Sequence, residues 1–237
     1  MTWSIVARDA SGALGIAVAS RFFAVGALCP HARASVGALS TQALCNPLYA
    51  PAALDLMAQR VDPGEVVRRV IAQDAGREHR QLHMIDAQGR VAAHTGSACI
   101  DWCGHRAGQG YSVAGNMLTG ADVIDATAAR YEANTDIAFA ERLIAALAAG
   151  EAAGGDKRGK QAAALLIYTT ERYPMLDIRV DDHVDPIAEL ARLYAKSIER
   201  FQGFVACLPK DGDPAGVTDR NEIEARIARF SGARSGR

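Results

Sequence analysis

The sequence predicts an α+β fold in which two mainly antiparallel sheets face each other beneath helical layers. Strand-like segments come in pairs joined by short turns, and helical segments also come in pairs rather than singly between strands. A doubly wound parallel sheet would instead alternate single strands with single helices. The 237 residues are 49% hydrophobic, which is enough for a large core.

The first half of the chain contains two predicted strand pairs. Residues 2–7 and 13–20 form a hairpin, because turn-forming Asp, Ser and Gly separate two segments of β-prone residues. A second pair of strands is predicted within residues 34–43, where small residues alternate with larger ones before an Asn-Pro break.

Two helices are predicted next, over residues 52–60 and 64–73. Asp62 and Pro63 supply the N-cap and the first position of the second helix. A further hairpin follows over residues 83–94. The glycine-rich stretch 96–120 is expected to form loops with one short strand at 111–114.

The remaining elements are predicted from apolar residues at helical spacing, from residue types that are common in buried strands, and from Gly or Pro at the ends of the segments. They are helices 121–133 and 136–149, strands 161–169 and 175–180, and a helix from 185 to about 201. After Pro209 the sequence becomes polar, and residues 221–230 predict only a short amphipathic helix. We therefore expect one domain over residues 1–208 and a loosely attached tail over 209–237.

Net charge, hydrophobic pattern and cysteine spacing limit the classes of function that the chain can have. A formal net charge of -1 and a pI near 6.6 give no overall basic field for nucleic acid or an anionic membrane, so we expect a small-molecule or protein partner. We expect a cytoplasmic protein, because the sequence shows neither a signal-peptide pattern nor an apolar run long enough to cross a bilayer. Five cysteines without framework spacing indicate reduced thiols.

Thr2 has the most direct chemical implication. If Met1 is removed, which a small second residue permits, Thr2 carries both a hydroxyl and a free α-amine. An α-amine has a pKa of about 8, so it can act as the base for the hydroxyl of its own residue. The alternative is that Thr2 is an ordinary frayed terminal residue.

Five segments of the sequence carry a resemblance to a known family. They are TWSIVARD at 2–9, AVASRFFAVG at 17–26, STQA at 40–43, GGDKRG at 154–159 and RVDDH at 179–183. Together they resemble the DUF1028 family, a branch of the N-terminal nucleophile hydrolase superfamily, from Thr2 to about residue 200. The resemblance implies a four-layer αββα sandwich.

The N-terminal segment also resembles that of a catalytic proteasome β subunit, whose N-terminal threonine begins the first strand. There the second strand ends in an aspartate-serine-arginine run, whereas this chain has Ala19, Ser20 and Arg21. Because Ala19 stands in the place of the aspartate, this chain lacks the carboxylate of the proteasome pattern. Another carboxylate would have to orient the amine, or none does.

Acyl transfer also requires donors to the developing oxyanion and a partner for the amine. Backbone N–H groups near Thr41 and Gln42 are candidates for the oxyanion site, and so is the side chain of Asn116. Asn116 can equally be a left-handed turn residue beside Gly115. Asp156 precedes a buried strand and can hold a protonated amine.

Charged residues near the expected cleft are candidates for binding substrate. Lys157 and Arg158 can bind a substrate carboxylate or lower the pKa of the Thr2 amine, unless their segment is a solvated loop that caps a helix. Arg8 and Arg21 can clamp an anionic group or pair with Asp9 at the surface. His183 follows two aspartates, which suits an acid, a ligand or a simple turn residue.

A zinc site is the rival prediction for part of the chain, because four residues of ligand type fall close together: His94, Cys99, Cys103 and His105. Their spacing matches no familiar zinc motif, and Trp102 beside Cys103 equally suits packing. We therefore expect no metal and no cofactor.

Two functions remain open from the sequence. The first is an amidohydrolase in which Thr2 cleaves a C–N bond of a small amide or cyclic amide, and basic residues at the cleft favour an acidic or polar substrate. The second is a non-catalytic binding or assembly module that retains the fold. A homodimer is expected in either case.

Overall fold

Two antiparallel sheets form the centre of the protein in the computed structural model, which describes residues 2–235. The ten strands of these residues are β1 (Thr2–Arg8), β2 (Leu14–Ser20), β3 (Pro30–Arg33), β4 (Gly37–Ala43), β5 (Arg80–Asp86), β6 (Val91–Thr95), β7 (Trp102–Gly108), β8 (Tyr111–Leu118), β9 (Ala162–Tyr168) and β10 (Leu176–Val180). The six-stranded sheet has the order β10-β9-β2-β1-β8-β7, and the four-stranded sheet has the order β3-β4-β5-β6.

Helices cover the outer face of each sheet. The α-helices of the described residues are α1 (Tyr49–Ala58), α2 (Pro63–Ala72), α3 (Asp122–Ala133), α4 (Phe139–Ala152), α5 (Pro186–Glu199), α6 (Phe201–Val205) and α7 (Arg220–Ser235). Helices α1 and α2 pack on the four-stranded sheet, and α3, α4 and α5 pack on the six-stranded sheet. The sheets pack face to face, so the predicted four-layer αββα sandwich is confirmed.

The N-terminal hairpin lies at the centre of the larger sheet. β1 pairs with β2 on one side and with β8 on the other, and its first six residues are buried. Trp3 and Ile5 belong to the apolar core beneath α3 and α4, while Ser4 points between the sheets, as strand alternation requires. Thr2 is therefore fixed at the end of a central strand, between Ser20 and Asn116.

The layer between the sheets changes character along its length. At the Arg8 end of β1 it is apolar and includes Val6, Leu14, Ile16 and Ile85. At the Thr2 end it is polar, with buried Ser, Gln, His and Asn side chains from both sheets. The polar end is where a site can form, because it offers hydrogen-bonding groups on rigid strands.

Several predicted boundaries were wrong although most elements were right. The second hairpin begins at Pro30 rather than at 34, helix α1 begins at Tyr49, and α4 begins at Phe139 rather than at 136. Strand β7 was missed, since its glycines predicted loop. The cap of α2 is confirmed: the Asp62 carboxylate accepts from the Gly64 N–H at 2.9 Å, with Pro63 at the first position.

The C-terminal segment forms a longer helix than predicted. α7 has 16 residues and packs against α5 and α6, where Ile227 is buried and Arg200 pairs with Glu224 at 2.8 Å. The domain boundary at residue 208 stays a prediction. Among the described helices, none combines the length and the apolar character needed to cross a bilayer.

Candidate active site

Thr2 lies at the edge of a pocket of about 400 Å³. Its side-chain oxygen is 3.1 Å from the hydroxyl oxygen of Ser20, the directly paired residue of β2. The threonine is 5% exposed, and it is one of the residues that line the cavity. The first strand therefore begins beside a cavity, as a nucleophile requires. Met1 lies outside the described residues, and its removal stays a prediction.

Two side-chain amides hold the backbone of Thr2. The Thr2 carbonyl accepts from Asn116 Nδ2 at 3.3 Å and from Gln42 Nε2 at 3.4 Å. Asn116 Nδ2 also donates to Gln81 Oε1 at 3.1 Å, so both N–H groups of its amide have acceptors. In this arrangement Asn116 and Gln42 position Thr2. Asn116 lies within β8 and is not a left-handed turn residue; its neighbour Met117 has the positive φ, 53°.

A neutral polar cluster supports this end of β1 from the opposite sheet. Ser4 Oγ donates to Gln42 Oε1 at 2.6 Å and lies 2.8 Å from His83 Nε2. Burial, with a smaller effect from His105, lowers the pKa of His83 to about 3, so the ring is neutral near pH 7. Ser4 and His83 are fully buried, which makes this pair structural rather than a nucleophile and its base.

Sequence reasoning missed Gln81 and His83. Gln81 Nε2 donates to Gly115 O at 2.9 Å and to Gly104 O at 3.0 Å, so it links the sheets at the level of Thr2. The available signal was their spacing: two polar residues at alternate positions, among the apolar Leu82, Met84 and Ile85, lie on one face of the strand. That face is the one turned toward β1 and β8.

Asp156 lies just beyond the end of β1. Its Oδ2 accepts from the Arg21 N–H at 2.8 Å, and its backbone forms a bridge with Leu118. Arg21 follows β2, Leu118 ends β8, and β1 lies between those strands. Asp156 therefore lies between Arg21 and Leu118, beyond the Thr2 end of β1, with a side chain that is 0% exposed. Its predicted role as partner of the α-amine fits this place and stays a prediction.

The neighbours of Asp156 in the glycine-rich segment fix its orientation. Arg158 donates its backbone N–H to Asp156 Oδ1 at 2.8 Å, and its guanidinium lies 3.4 Å from Oδ2. Lys157 instead reaches Asp101 at 3.3 Å, and both side chains are exposed. Arg158 is thus close to the Thr2 end of β1, while Lys157 is engaged at the surface.

The other predicted binding residues are distributed around the molecule. Thr41 donates its backbone N–H to Cys29 O at 3.1 Å and its hydroxyl to Asn46 O at 3.2 Å. These bonds stabilise the pocket wall, and the Thr41 N–H is not free to bind an oxyanion. Arg21 and His183 line a second pocket of about 630 Å³. Arg8 ends β1 about 20 Å from Thr2, so the structure does not bring it to this site.

Residues 2–190 match a family described as a family of unknown function, DUF1028. The chain belongs to the DUF1028 family. A crystal structure of a DUF1028 protein from Silicibacter pomeroyi is similar to it, with 31% identity, a TM-score of 0.86, and coverage of 92% of this chain and 96% of that one.

More distant solved structures share less with this DUF1028 chain. Anbu, an ancestral β-subunit from Yersinia bercovieri, has 16% identity and a TM-score of 0.37 over 82% of this chain and 94% of that one. An Anbu mutant from Hyphomicrobium has 12% identity and a TM-score of 0.42 over 83% and 94%. At these scores they carry no argument about function. No curated protein matches the chain.

The pocket of this DUF1028 chain is more apolar than its basic residues led us to expect. Five aliphatic or aromatic residues line it: Phe22, Val25, Leu28, Ala43 and Leu44. Arg80 is the one charged residue among the described lining, and its Nε lies 3.1 Å from Asp74 Oδ2. Hydrogen bonds, above all from the Tyr49 hydroxyl, lower the pKa of Asp74, which stays ionised and balances Arg80.

The four residues of the rival zinc hypothesis make other contacts in this DUF1028 chain. His94 Nε2 lies 3.0 Å from Arg77 O, and His105 Nδ1 lies 3.0 Å from Thr95 Oγ1. Cys99 and Cys103 donate to backbone carbonyls. Within residues 2–235, no three His, Cys, Asp or Glu side chains are grouped so as to hold a metal ion.

Proposed function

We propose that this DUF1028 chain is an amidohydrolase in which Thr2, made N-terminal by loss of Met1, attacks the carbonyl of a small amide or cyclic amide. One observation carries the proposal: Thr2 lines a pocket and lies at the end of a rigid central strand, with a buried carboxylate just beyond that end. A nucleophile needs both features, access and fixed geometry.

The proposed reaction uses one residue as nucleophile and base. The α-amine of Thr2 takes the hydroxyl proton while Oγ1 attacks the substrate carbonyl, and the ammonium then protonates the departing nitrogen. The amine next activates water, which hydrolyses the threonine ester. Asp156 would orient the amine, while Asn116 and Gln42 hold the Thr2 carbonyl. These last two act as positioning residues.

Two details of the structure support this assignment of roles. Ala19, which stands where the proteasome pattern has aspartate, packs in the apolar core opposite Trp3, so a carboxylate there would not face the pocket. Asp156 supplies the buried carboxylate from another segment. The apolar pocket lining favours an apolar acyl group, in place of the acidic or polar substrate that the basic residues suggested.

The deciding experiment begins with the mass of the mature N-terminus. The proposal expects loss of Met1, hydrolysis of one or more members of a panel of small amides, lactams and imides, and an acyl adduct on Thr2. Thr2→Ala should abolish turnover, and Thr2→Ser should retain part of it. Thr135→Ala, at an exposed threonine, is the matched control.

The alternative function, a non-catalytic binding or assembly module, predicts that Met1 is retained. If Met1 is retained in the purified protein, the α-amine is not available at Thr2, and a binding or assembly module becomes the better reading. Turnover that survives Thr2→Ala would also contradict the proposal, because it would require another nucleophile.

A further inference from the structure

Two cysteines lie side by side in the wall of the Thr2 pocket. Both Cys29 and Cys45 line the cavity, and Cys45 packs against the small buried cluster that contains Cys29. Cys45 Sγ also contacts Thr41 O at 3.3 Å and Leu28 O at 3.6 Å. The proposed amide hydrolysis uses neither thiol, so the pair needs an explanation of its own.

The backbone around both cysteines lies outside regular strands. Cys29 lies between a short 3₁₀ turn at 25–27 and the first residue of β3. Cys45 lies two residues after β4, whose last residue Ala43 has a φ of 67°. A disulfide requires the two sulfurs to approach to roughly 2 Å. Because the two cysteines already pack together on irregular segments, a local rearrangement can bring their sulfurs to that distance.

The two thiols differ in exposure and in pKa, and these differences determine which thiol reacts first. Cys45 is half-buried, and its interaction with Cys29, the Thr41 hydroxyl and the charge of Arg80 lower its pKa. Cys29 is 5% exposed, and its contact with Cys45 and its burial raise its pKa. The more accessible thiol is therefore also the one that more readily forms a thiolate, which is the reactive form.

We propose that Cys29 and Cys45 form a peroxide-reactive dithiol site that closes to a disulfide in the wall of the Thr2 pocket. The Cys45 thiolate attacks one oxygen of hydrogen peroxide, the O–O bond breaks, and a sulfenic acid and water result. Cys29 loses its proton and attacks the Cys45 sulfur, and the hydroxide that leaves becomes water. Two thiols are oxidised while one peroxide is reduced to two waters.

The remaining cysteines show why the site is confined to this pair. Cys103 Sγ points to the backbone oxygen of Cys99 at 3.8 Å, and burial raises the pKa of both these thiols. Cys207 is buried and donates to Gly203 O at 3.5 Å. A disulfide between Cys29 and Cys45 would tie the start of β3 to the end of β4 beside Thr2. It would make this wall of the pocket rigid.

The test treats the full chain with hydrogen peroxide, blocks remaining thiols, and maps disulfides by mass spectrometry without reduction. We expect loss of two hydrogen atoms from the intact mass and a cross-link between the peptides that contain Cys29 and Cys45. Cys29→Ser should stop at a sulfenic acid on Cys45 that dimedone traps. Cys45→Ser should form neither product, while Cys103→Ser should behave as wild type.

The result that overturns the proposal is equally direct. It is rejected if all five thiols remain open to alkylation after peroxide, if the cross-link joins other cysteines, or if dimedone labels a residue other than Cys45 in Cys29→Ser. Cys45→Ala provides a second variant if Cys45→Ser does not fold. The readout is a mass, so it does not depend on whether Thr2 is catalytic.

Discussion

Gln42 shows how a single neutral side chain joins the two sheets. Its oxygen accepts from Ser4 at 2.6 Å and from Ser40 at 3.2 Å, while its nitrogen donates to Gln81 Oε1 at 2.8 Å and to Ala114 O at 3.1 Å. Buried polar groups are costly unless they are hydrogen-bonded, and here each amide atom has partners. The arrangement keeps the Thr2 end of the sandwich polar without placing a charge in the core.

Replacing Gln42 by Met should destabilise the protein by roughly 1–3 kcal/mol, because buried hydroxyl and carbonyl groups would lose their partners. The measurement is the free energy of unfolding in urea. Gln109→Met, at an exposed position, is the control and should have little effect. Equal stability of the two variants would show that the buried amide is not required.

His83 should make stability depend on pH. Its pKa in the folded protein is about 3, below its ordinary value of 6.5, so the unfolded chain binds the proton first as pH falls. The contribution of neutral His83 is complete above pH 6.5 and is lost as pH falls toward 3, with a limiting slope of about 1.4 kcal/mol per pH unit. His83→Gln should flatten the curve of unfolding free energy between pH 7 and pH 4, whereas exposed His79→Gln should not.

At the scale of elements, helix α4 is placed by a close approach to β1. A Cβ on Gly150 would lie 2.8 Å from Trp3 Nε1 and would also meet the Thr127 hydroxyl on α3. The helix can therefore lie against Trp3 only because this position lacks a side chain. Trp3 adjoins Thr2, so the packing of α4 supports the strand that carries the candidate nucleophile.

Gly150→Ala should cost about 1–3 kcal/mol, since the added methyl group must push α4 away from β1 and α3. Gly232→Ala is the matched helical control, because a Cβ there meets nothing within 4 Å, and it should be neutral or slightly stabilising. Chemical denaturation of both variants checks the prediction. A Gly150→Ala protein as stable as wild type would contradict it.

Local sequence patterns predicted most elements for identifiable reasons. The turn after β1 and the Asp62-Pro63 cap are local signals, and both occur as expected. β7 escaped prediction because its residues, which include Gly104 and Gly108, are partly buried or exposed and lack strand-like periodicity. Its pairing with β8 supplies the stability that its own sequence does not indicate.

At the scale of the whole molecule, the candidate site combines distant segments. Thr2, Ser20, Gln42, Gln81, Asn116 and Asp156 come from five strands and one loop. Thr2 could be proposed as a nucleophile from the sequence alone, because the proposed chemistry depends on one residue. The linking roles of Gln42, Gln81 and Asn116 could not, since they arise only when the sheets face each other. The expected homodimer stays a prediction.

Helix α7 provides a test of the predicted domain boundary at residue 208. Ile227→Ala removes a buried contact with α6, and we expect α7 to loosen by about 2 kcal/mol while the sandwich stays folded. Amide hydrogen exchange over residues 220–235 should accelerate roughly 20- to 30-fold, with residues 2–8 unchanged. Ile137→Ala, at a 40% exposed position, is the control. Faster exchange in β1 would instead show one cooperative unit.

The central place of β1 also sets an order of events during synthesis. β8 and Asp156, which flank Thr2 in the finished fold, are translated more than a hundred residues after it. Until β8 has been made, Thr2 lacks one of its two neighbouring strands, so the Thr2 end of β1 is less enclosed on the nascent chain than in the finished fold. If Thr2 is the nucleophile, removal of Met1 is easiest during the interval of synthesis that ends when β8 pairs with β1.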